Sequence, residues 1–95
     1  MHVVVVGCGR VGSGLARTLE ESGHTVAVVD RRAKAFDRLP ADFAGETVLG
    51  VGFDRDRLIA ARIERATALA AVTNGDNSNI LVARVARETF GIDRV

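Results

Sequence analysis

Three glycines near the start of the chain have the spacing of loops that bind the diphosphate of a dinucleotide. The loop reads Gly7-Cys8-Gly9-Arg10-Val11-Gly12, and it lies between a run of β-branched residues and a helical pattern. Gly7 permits a tight turn off the strand, Gly9 lets a phosphate approach the backbone, and Gly12 lets the helix pack closely on the sheet. The first turn of that helix then presents free N–H groups and its positive dipole end to the phosphates.

An acidic residue, Asp30, ends the next predicted strand and supplies the second half of this motif. A carboxylate there accepts hydrogen bonds from ribose hydroxyls and repels a 2′-phosphate, which favours NAD over NADP. Arg31 and Arg32 follow directly, and an arginine in this region can instead accommodate a 2′-phosphate. We favour NAD because Asp30 occupies the ribose position itself. The other interpretation is a glycine-rich turn and a strand-end aspartate in an unrelated α/β domain.

Two further features have a functional and a structural interpretation. Arg10 either contacts a phosphate or is a solvated residue at the helix start. The polar segment from Thr73 to Asn79 follows the fourth predicted strand, where ligands bind in open parallel sheets. It contacts the distal part of a ligand, or it forms only a turn and a helix cap. Cys8 is interpreted as a small residue rather than a reactive thiol.

Alternating strand and helix patterns position these residues. The predicted strands are His2–Val6, Thr25–Asp30, Thr47–Leu49, Ala66–Val72 and the start of a fifth, Asp93–Val95. The predicted helices are Arg10–Ser22, with Val11 and Leu15 on its buried side, Arg32–Leu39, a helix capped by Asp54 and running to Arg62, and one from Asp76 or Asn77 to Phe90. This βαβαβαβαβ order predicts an α/β fold, a Rossmann-like doubly wound parallel sheet in the order 3-2-1-4-5.

The composition limits the class of protein. The 95 residues, 47% of them hydrophobic, suit one domain spanning residues 1–95, with a formal net charge of +1 that indicates no nucleic-acid partner. The single cysteine and two histidines do not form a metal-binding pattern. No apolar run is long enough to span a membrane, and the last strand stops in its first half. We therefore expect a cytoplasmic fragment of a longer chain, without catalytic residues of its own.

The combination of motifs resembles the N-terminal nucleotide-binding domain of Trk potassium-uptake regulatory proteins, also known as the RCK or KTN domain. The resemblance covers essentially the whole chain. It rests on Met1–Gly12, the strand end Val28–Asp30, Ala71–Asn74 and the loop Asp76–Asn79. Two segments, Gly50–Asp56 and Val82–Gly91, are most similar to actinobacterial members.

The resemblance implies a site for NAD or NADH, or alternatively for ATP or ADP. Members usually carry an aspartate near the adenine, where this chain has Val51. Many members also have a second acid at the position of Arg32, and the positive charge of Arg32 favours a more highly phosphorylated ligand such as ATP. The residues expected to line the site are Gly7, Cys8, Gly9, Arg10, Val11, Gly12, Asp30, Arg31, Arg32, Val51, Gly52, Thr73, Asn74 and Asn79.

The resemblance also implies a regulatory role. The chain is expected to form a homo-oligomer, from a dimer to a ring, and to associate with the inner face of the membrane through a potassium-transporter subunit. Two alternatives remain. One is the cofactor-binding domain of an NAD-dependent oxidoreductase. The other, which rests on the departure from the family pattern at Val51, is a scaffold that no longer binds nucleotide.

Overall fold

A parallel sheet forms the centre of the molecule. The computed structural model describes residues 1–51, 54–73, 79 and 92. Within these residues the strands are β1 (His2–Val6), β2 (Thr25–Asp30), β3 (Glu46–Leu49) and β4 (Ala66–Ala71). They form a four-stranded sheet in the order β3-β2-β1-β4, with every pairing parallel. The predicted order 3-2-1-4 is confirmed.

Helices connect the strands. Helix α1 (Arg10–Glu21) joins β1 to β2, and a 3-10 helix (Ala33–Arg38) lies between β2 and β3. Helix α2 (Arg55–Ala60) and a 3-10 turn (Ile63–Arg65) precede β4. Among the described residues, no helix is long and apolar enough to cross a membrane.

The sheet is covered by apolar residues on both faces, because β1 and β2 are continuous runs of small and β-branched side chains. One face packs against α1, through the buried residues Val3, Val5, Cys8, Ala16, Val26 and Val28. The opposite face packs against α2 and the turn after it, through Val4, Val6, Ala27, Val29, Val48, Leu58, Ala61, Ile63, Leu69 and Ile92. Packing on both faces holds the strands in place and keeps their carboxyl ends aligned.

The predicted helix from Asp54 to Arg62 is wrong at its carboxyl end. Asp54 caps the helix as expected, since its side chain accepts a hydrogen bond from the Asp56 N–H at 2.9 Å. The helix stops at Ala60, however, and Arg62 adopts a left-handed conformation with φ 63°. This turn places Ile63 in the core with no exposed surface. Burial of that side chain overrides the helical pattern.

Other elements differ from prediction in smaller ways. The segment predicted as a helix over Arg32–Leu39 forms a 3-10 helix, β3 begins one residue earlier, and β4 ends at Ala71. Val11 was expected on the buried side of α1 but is 67% exposed. It lies in the first turn of the helix, directly before the buried Gly12. The predicted fifth strand and, apart from Asn79, the predicted last helix lie outside the described residues.

Candidate functional site

The carboxyl ends of the strands meet at one edge of the sheet. Val6 pairs with Val29 on one side and Ala71 on the other, while Asp30 pairs with Leu49. Backbone hydrogen bonds continue this alignment beyond the strands. The Gly7 N–H donates to the Val29 carbonyl at 2.7 Å, and the Gly50 N–H donates to the Asp30 carbonyl at 2.9 Å. The glycine loop, Asp30 and Gly50 are therefore placed side by side, in that order.

The Asp30 carboxylate is bound to the glycine loop. Its Oδ2 accepts a hydrogen bond from the Cys8 N–H at 2.8 Å, and its Oδ1 accepts one from the Arg32 N–H at 2.8 Å. The sequence placed the loop and the acid in one site but did not predict this bond. Each carboxylate oxygen can accept a second hydrogen bond. The side chain, which is partly exposed, can therefore bind a diol without releasing the loop.

Two of the loop glycines are required by the fold itself. Gly7 has φ +108°, and a Cβ there would lie 2.8 Å from the Val72 carbonyl carbon. At Gly12 a Cβ would overlap the carbonyl oxygen of Gly7. These contacts explain the tight turn and the close helix packing that the spacing predicted.

For Gly9, the described part of the chain gives no such reason. Its φ of −84° is open to any residue, and no described atom lies within 4 Å of a Cβ built on it. As far as the described residues go, the space beside Gly9 is open, and a bulky group can approach its backbone.

The amino end of α1 borders this open space. Gly9 is the cap residue and offers no side chain to the helix, and the first turn carries no acidic residue. The Ser13 N–H bonds to the Gly9 carbonyl at 2.9 Å, so the N–H groups of the three preceding residues have no acceptor within the helix. Such groups, with the helix dipole, bind anions.

Cys8 takes part in the candidate site through its backbone N–H, which binds Asp30, and its thiol is buried. Burial raises the pKa of the Cys8 thiol above its ordinary value, and the nearby Asp30 carboxylate raises it further, while Arg38 acts in the opposite direction. The side chain has no exposed surface. The thiol is therefore protonated and shielded, as expected of a small core residue.

Thr73 and Asn79 contact each other at the end of β4. The Thr73 N–H donates to Asn79 Oδ1 at 2.9 Å, and Asn79 Nδ2 donates to the Thr73 carbonyl at 3.1 Å. The Thr73 hydroxyl also bonds to Asn79 Oδ1. The amide of Asn79 thus holds the strand end beside Gly7, which is consistent with the structural interpretation of this segment. Whether either residue contacts a ligand stays a prediction.

The arginines predicted near the site, Arg10, Arg31 and Arg32, are all exposed. Arg38, at the end of the first 3-10 helix, also lies close enough to act on Cys8. It was missed because its proximity depends on how that helix folds back over β2, which periodicity does not predict. Val51 is on the surface two residues after the end of β3, while Gly52 and Asn74 lie outside the described residues.

Comparison with known proteins identifies the family of this chain. A family model, the TrkA-N domain, matches residues 3–95. The chain is 60% identical, over its whole length, to the Trk system potassium uptake protein TrkA of Streptomyces coelicolor, of which it covers 43%. The expected similarity to actinobacterial members is confirmed. The chain thus spans less than half the length of this relative.

Two solved structures share the fold. The TrkA-N domain of the inner membrane protein ybaL from Escherichia coli is 29% identical, with a TM-score of 0.76, over 90% of this chain and 63% of that one. The AMP-bound form of the Kef C-terminal domain from Shewanella denitrificans is 18% identical, with a TM-score of 0.80, over 97% of this chain and 55% of that one. The match of the family model to residues 3–95 shows that the chain belongs to the TrkA-N domain family.

Proposed function

We propose that residues 1–95 form a regulatory domain that binds NAD or NADH, or alternatively ATP or ADP, at the carboxyl edge of the sheet. One observation carries this proposal. The Asp30 carboxylate, the open side of Gly9 and the free N–H groups of α1 lie next to one another, linked by the 2.8 Å bond from the Cys8 N–H. A ribose diol and a diphosphate are the adjacent parts of a nucleotide that fit this arrangement.

The relatives support the regulatory part of the proposal. The Streptomyces coelicolor protein is named as a component of potassium uptake. Nucleotide binding would control a potassium transporter through different affinities for two conformations, since a ligand that binds both equally shifts nothing. We propose that the chain acts without catalysis, as a homo-oligomer on the cytoplasmic face of a membrane transporter subunit.

Calorimetric titration with NADH, NAD, ATP and ADP tests the nucleotide site. At least one of these is expected to bind, and NAD more tightly than NADP, because the Asp30 carboxylate repels a 2′-phosphate. Absence of binding by all of them in the low-millimolar range would contradict the proposal.

The variant Asp30→Ala tests the ribose contact. It is expected to weaken NAD binding by about 1–3 kcal/mol, on the scale of charge-assisted hydrogen bonds. Asp37→Ala is the matched control, because it removes the same charge from an exposed position on the neighbouring 3-10 helix. Since Asp30 also holds the loop, thermal unfolding of both variants should be measured. Unchanged affinity in Asp30→Ala would remove this carboxylate from the site.

The proposed role in potassium transport has to be tested with the full-length gene in cells. Deletion of the gene is expected to lower potassium uptake at low external potassium, and the wild-type gene to restore it. The Asp30→Ala gene is expected to restore uptake that no longer responds to the nucleotide. Normal uptake and normal response in the deletion strain would contradict the regulatory role.

A further inference from the structure

The segment that follows β4 lies against the glycine loop. The pairing of β4 with β1 continues to Val72, whose N–H donates to the Val6 carbonyl at 2.8 Å. A Cβ built on Gly7 would lie 2.8 Å from the Val72 carbonyl carbon and 2.9 Å from the Thr73 nitrogen. A Cβ built on Gly12 would lie 3.2 Å from Cγ2 of Val72. Val72 therefore lies beside both ends of the loop, and Thr73 lies beside its first residue.

The side chain of Asn79 holds Thr73 in this position. The Thr73 N–H donates to Asn79 Oδ1 at 2.9 Å, and Asn79 Nδ2 donates to the Thr73 carbonyl at 3.1 Å. The side-chain amide thus pairs with both backbone groups of one residue, as a residue on a neighbouring antiparallel strand can. Because a backbone N–H only donates, this bond also fixes which atom of the amide is the oxygen.

The same bonds occupy most of the amide. Asn79 Oδ1 accepts a second hydrogen bond from the Thr73 hydroxyl, so both of its lone pairs are in use. Nδ2 keeps one N–H beyond the bond to the Thr73 carbonyl. Asn79 was predicted to line the nucleotide site, and its engagement with Thr73 favours an indirect role there.

We propose that Asn79 is a positioning residue for phosphate binding, an inference that rests on the proposed function. Asn79 holds the strand end against Gly7 and Gly12, so the loop between them keeps its shape in the absence of a ligand. Without the amide, the strand end is free to move away from Gly7. A nucleotide then has to order the loop as it binds, and the lost conformational entropy lowers its affinity.

Titration with ADP and NADH and amide hydrogen exchange test this together. Asn79→Ala is expected to weaken nucleotide binding by about two- to tenfold, which corresponds to the loss of one intramolecular hydrogen bond. In the ligand-free variant, the Gly7 and Cys8 N–H groups are expected to exchange faster by a similar factor. The reference is the N–H of Val5, which is fully buried in β1 and reports unfolding of the whole domain. Because this second measurement involves no ligand, a residue that only contacts the nucleotide does not change it.

Two further variants complete the experiment. Asn79→Asp keeps the shape and the acceptor for the Thr73 N–H but loses the donor to the Thr73 carbonyl. It is expected to speed the same exchange, and it replaces Asn79→Ala if that variant does not fold. Glu46→Gln is the control, because it breaks the 2.7 Å ion pair with Arg62 at the first residue of β3, away from the carboxyl edge. It leaves nucleotide affinity and the exchange of Gly7 relative to Val5 unchanged.

Wild-type nucleotide affinity in Asn79→Ala would overturn the inference. A loss of affinity without faster exchange of the Gly7 and Cys8 N–H groups would also overturn it, and would assign Asn79 a direct contact with the nucleotide. In both cases the proposed nucleotide site itself would stand. Failure of ADP and NADH to bind to the wild-type protein would overturn the site and this inference together.

Discussion

Replacing Gly12 with alanine places a methyl group where the structure has no space for it. The added Cβ would overlap the carbonyl oxygen of Gly7 and lie 3.2 Å from Cγ2 of Val72. The Gly7 carbonyl cannot move away easily, because the Gly7 N–H is bonded to the Val29 carbonyl at 2.7 Å. The contact can be relieved only by moving α1 away from the sheet.

The magnitude follows from two opposing terms. Alanine in a helix is favoured over glycine by about 0.5–1 kcal/mol, but forcing a methyl group into a packed site costs typically about 1–3 kcal/mol, and more where the neighbour is backbone. Because the overlapped atom belongs to the backbone, the packing cost lies at or above the upper end of its range, so we expect a net loss of at least about 2 kcal/mol from the free energy of unfolding. For a domain of this size each kcal/mol corresponds to about 4–8 °C in Tm.

Thermal and urea unfolding measure this loss, with two other glycines of the same segment as comparisons. At Gly14, also inside α1, no described atom lies within 4 Å of an added Cβ, so Gly14→Ala should raise stability by about 0.5–1 kcal/mol. Gly9→Ala should change stability by less than about 1 kcal/mol, as expected for a helix cap, yet should weaken nucleotide binding. A Gly12→Ala protein as stable as the wild type would refute the argument that close packing requires this glycine.

Three further predictions concern the core, the thiol and the surface. Leu58→Ala should lower the free energy of unfolding by about 2–5 kcal/mol, because Leu58 is fully buried, while Ile59→Ala on the 45% exposed neighbour should lower it far less; urea unfolding compares them. Cys8 should resist thiol reagents in the native protein at neutral pH. Burial raises the pKa of the Cys8 thiol in the folded protein, so the protonated thiol contributes fully to stability below the pKa of the unfolded chain. That contribution is lost as pH rises through the pKa of the folded protein. Cys8→Ala should therefore remove this part of the pH dependence from alkaline unfolding curves. Glu46→Gln breaks the 2.7 Å ion pair with Arg62, whose side chains are 44% and 53% exposed, so it should cost less than about 1 kcal/mol at low salt and less still at high salt.

The sequence was sufficient for the sheet because its signals there are strong and local. β1 and β2 each contain four consecutive buried residues, and both were predicted with the bounds that the structure has. The glycine spacing then identified a parallel arrangement, since a loop of this kind needs a strand before it and a helix after it. The described strand order followed from these elements.

The parts that could not be predicted depend on packing between distant segments. The end of α2 is set by the burial of Ile63. The position of Arg38 is set by a 3-10 helix, which has three residues per turn instead of the 3.6 of the α-helix that was predicted. The contact of Arg57 with Gly50 joins two residues whose types carry no signal of proximity. Periodicity describes which face of an element is buried, but not which side chain lies across a neighbouring strand end.

The bond between Asp30 and the loop has a consequence for how this site binds a ligand. Register fixes the bond, because β1 and β2 pair from His2 with Thr25 to Val6 with Val29, which sets Asp30 beside the residue after β1. The carboxylate already orders the loop by accepting the Cys8 N–H at 2.8 Å. A ligand that adds hydrogen bonds to the same oxygens does not have to order the loop, so less of its binding energy is lost to conformational entropy. If the proposed nucleotide binds here, its phosphate and ribose contacts are preformed as one unit, and a conformational response to binding has to come from the elements around that unit.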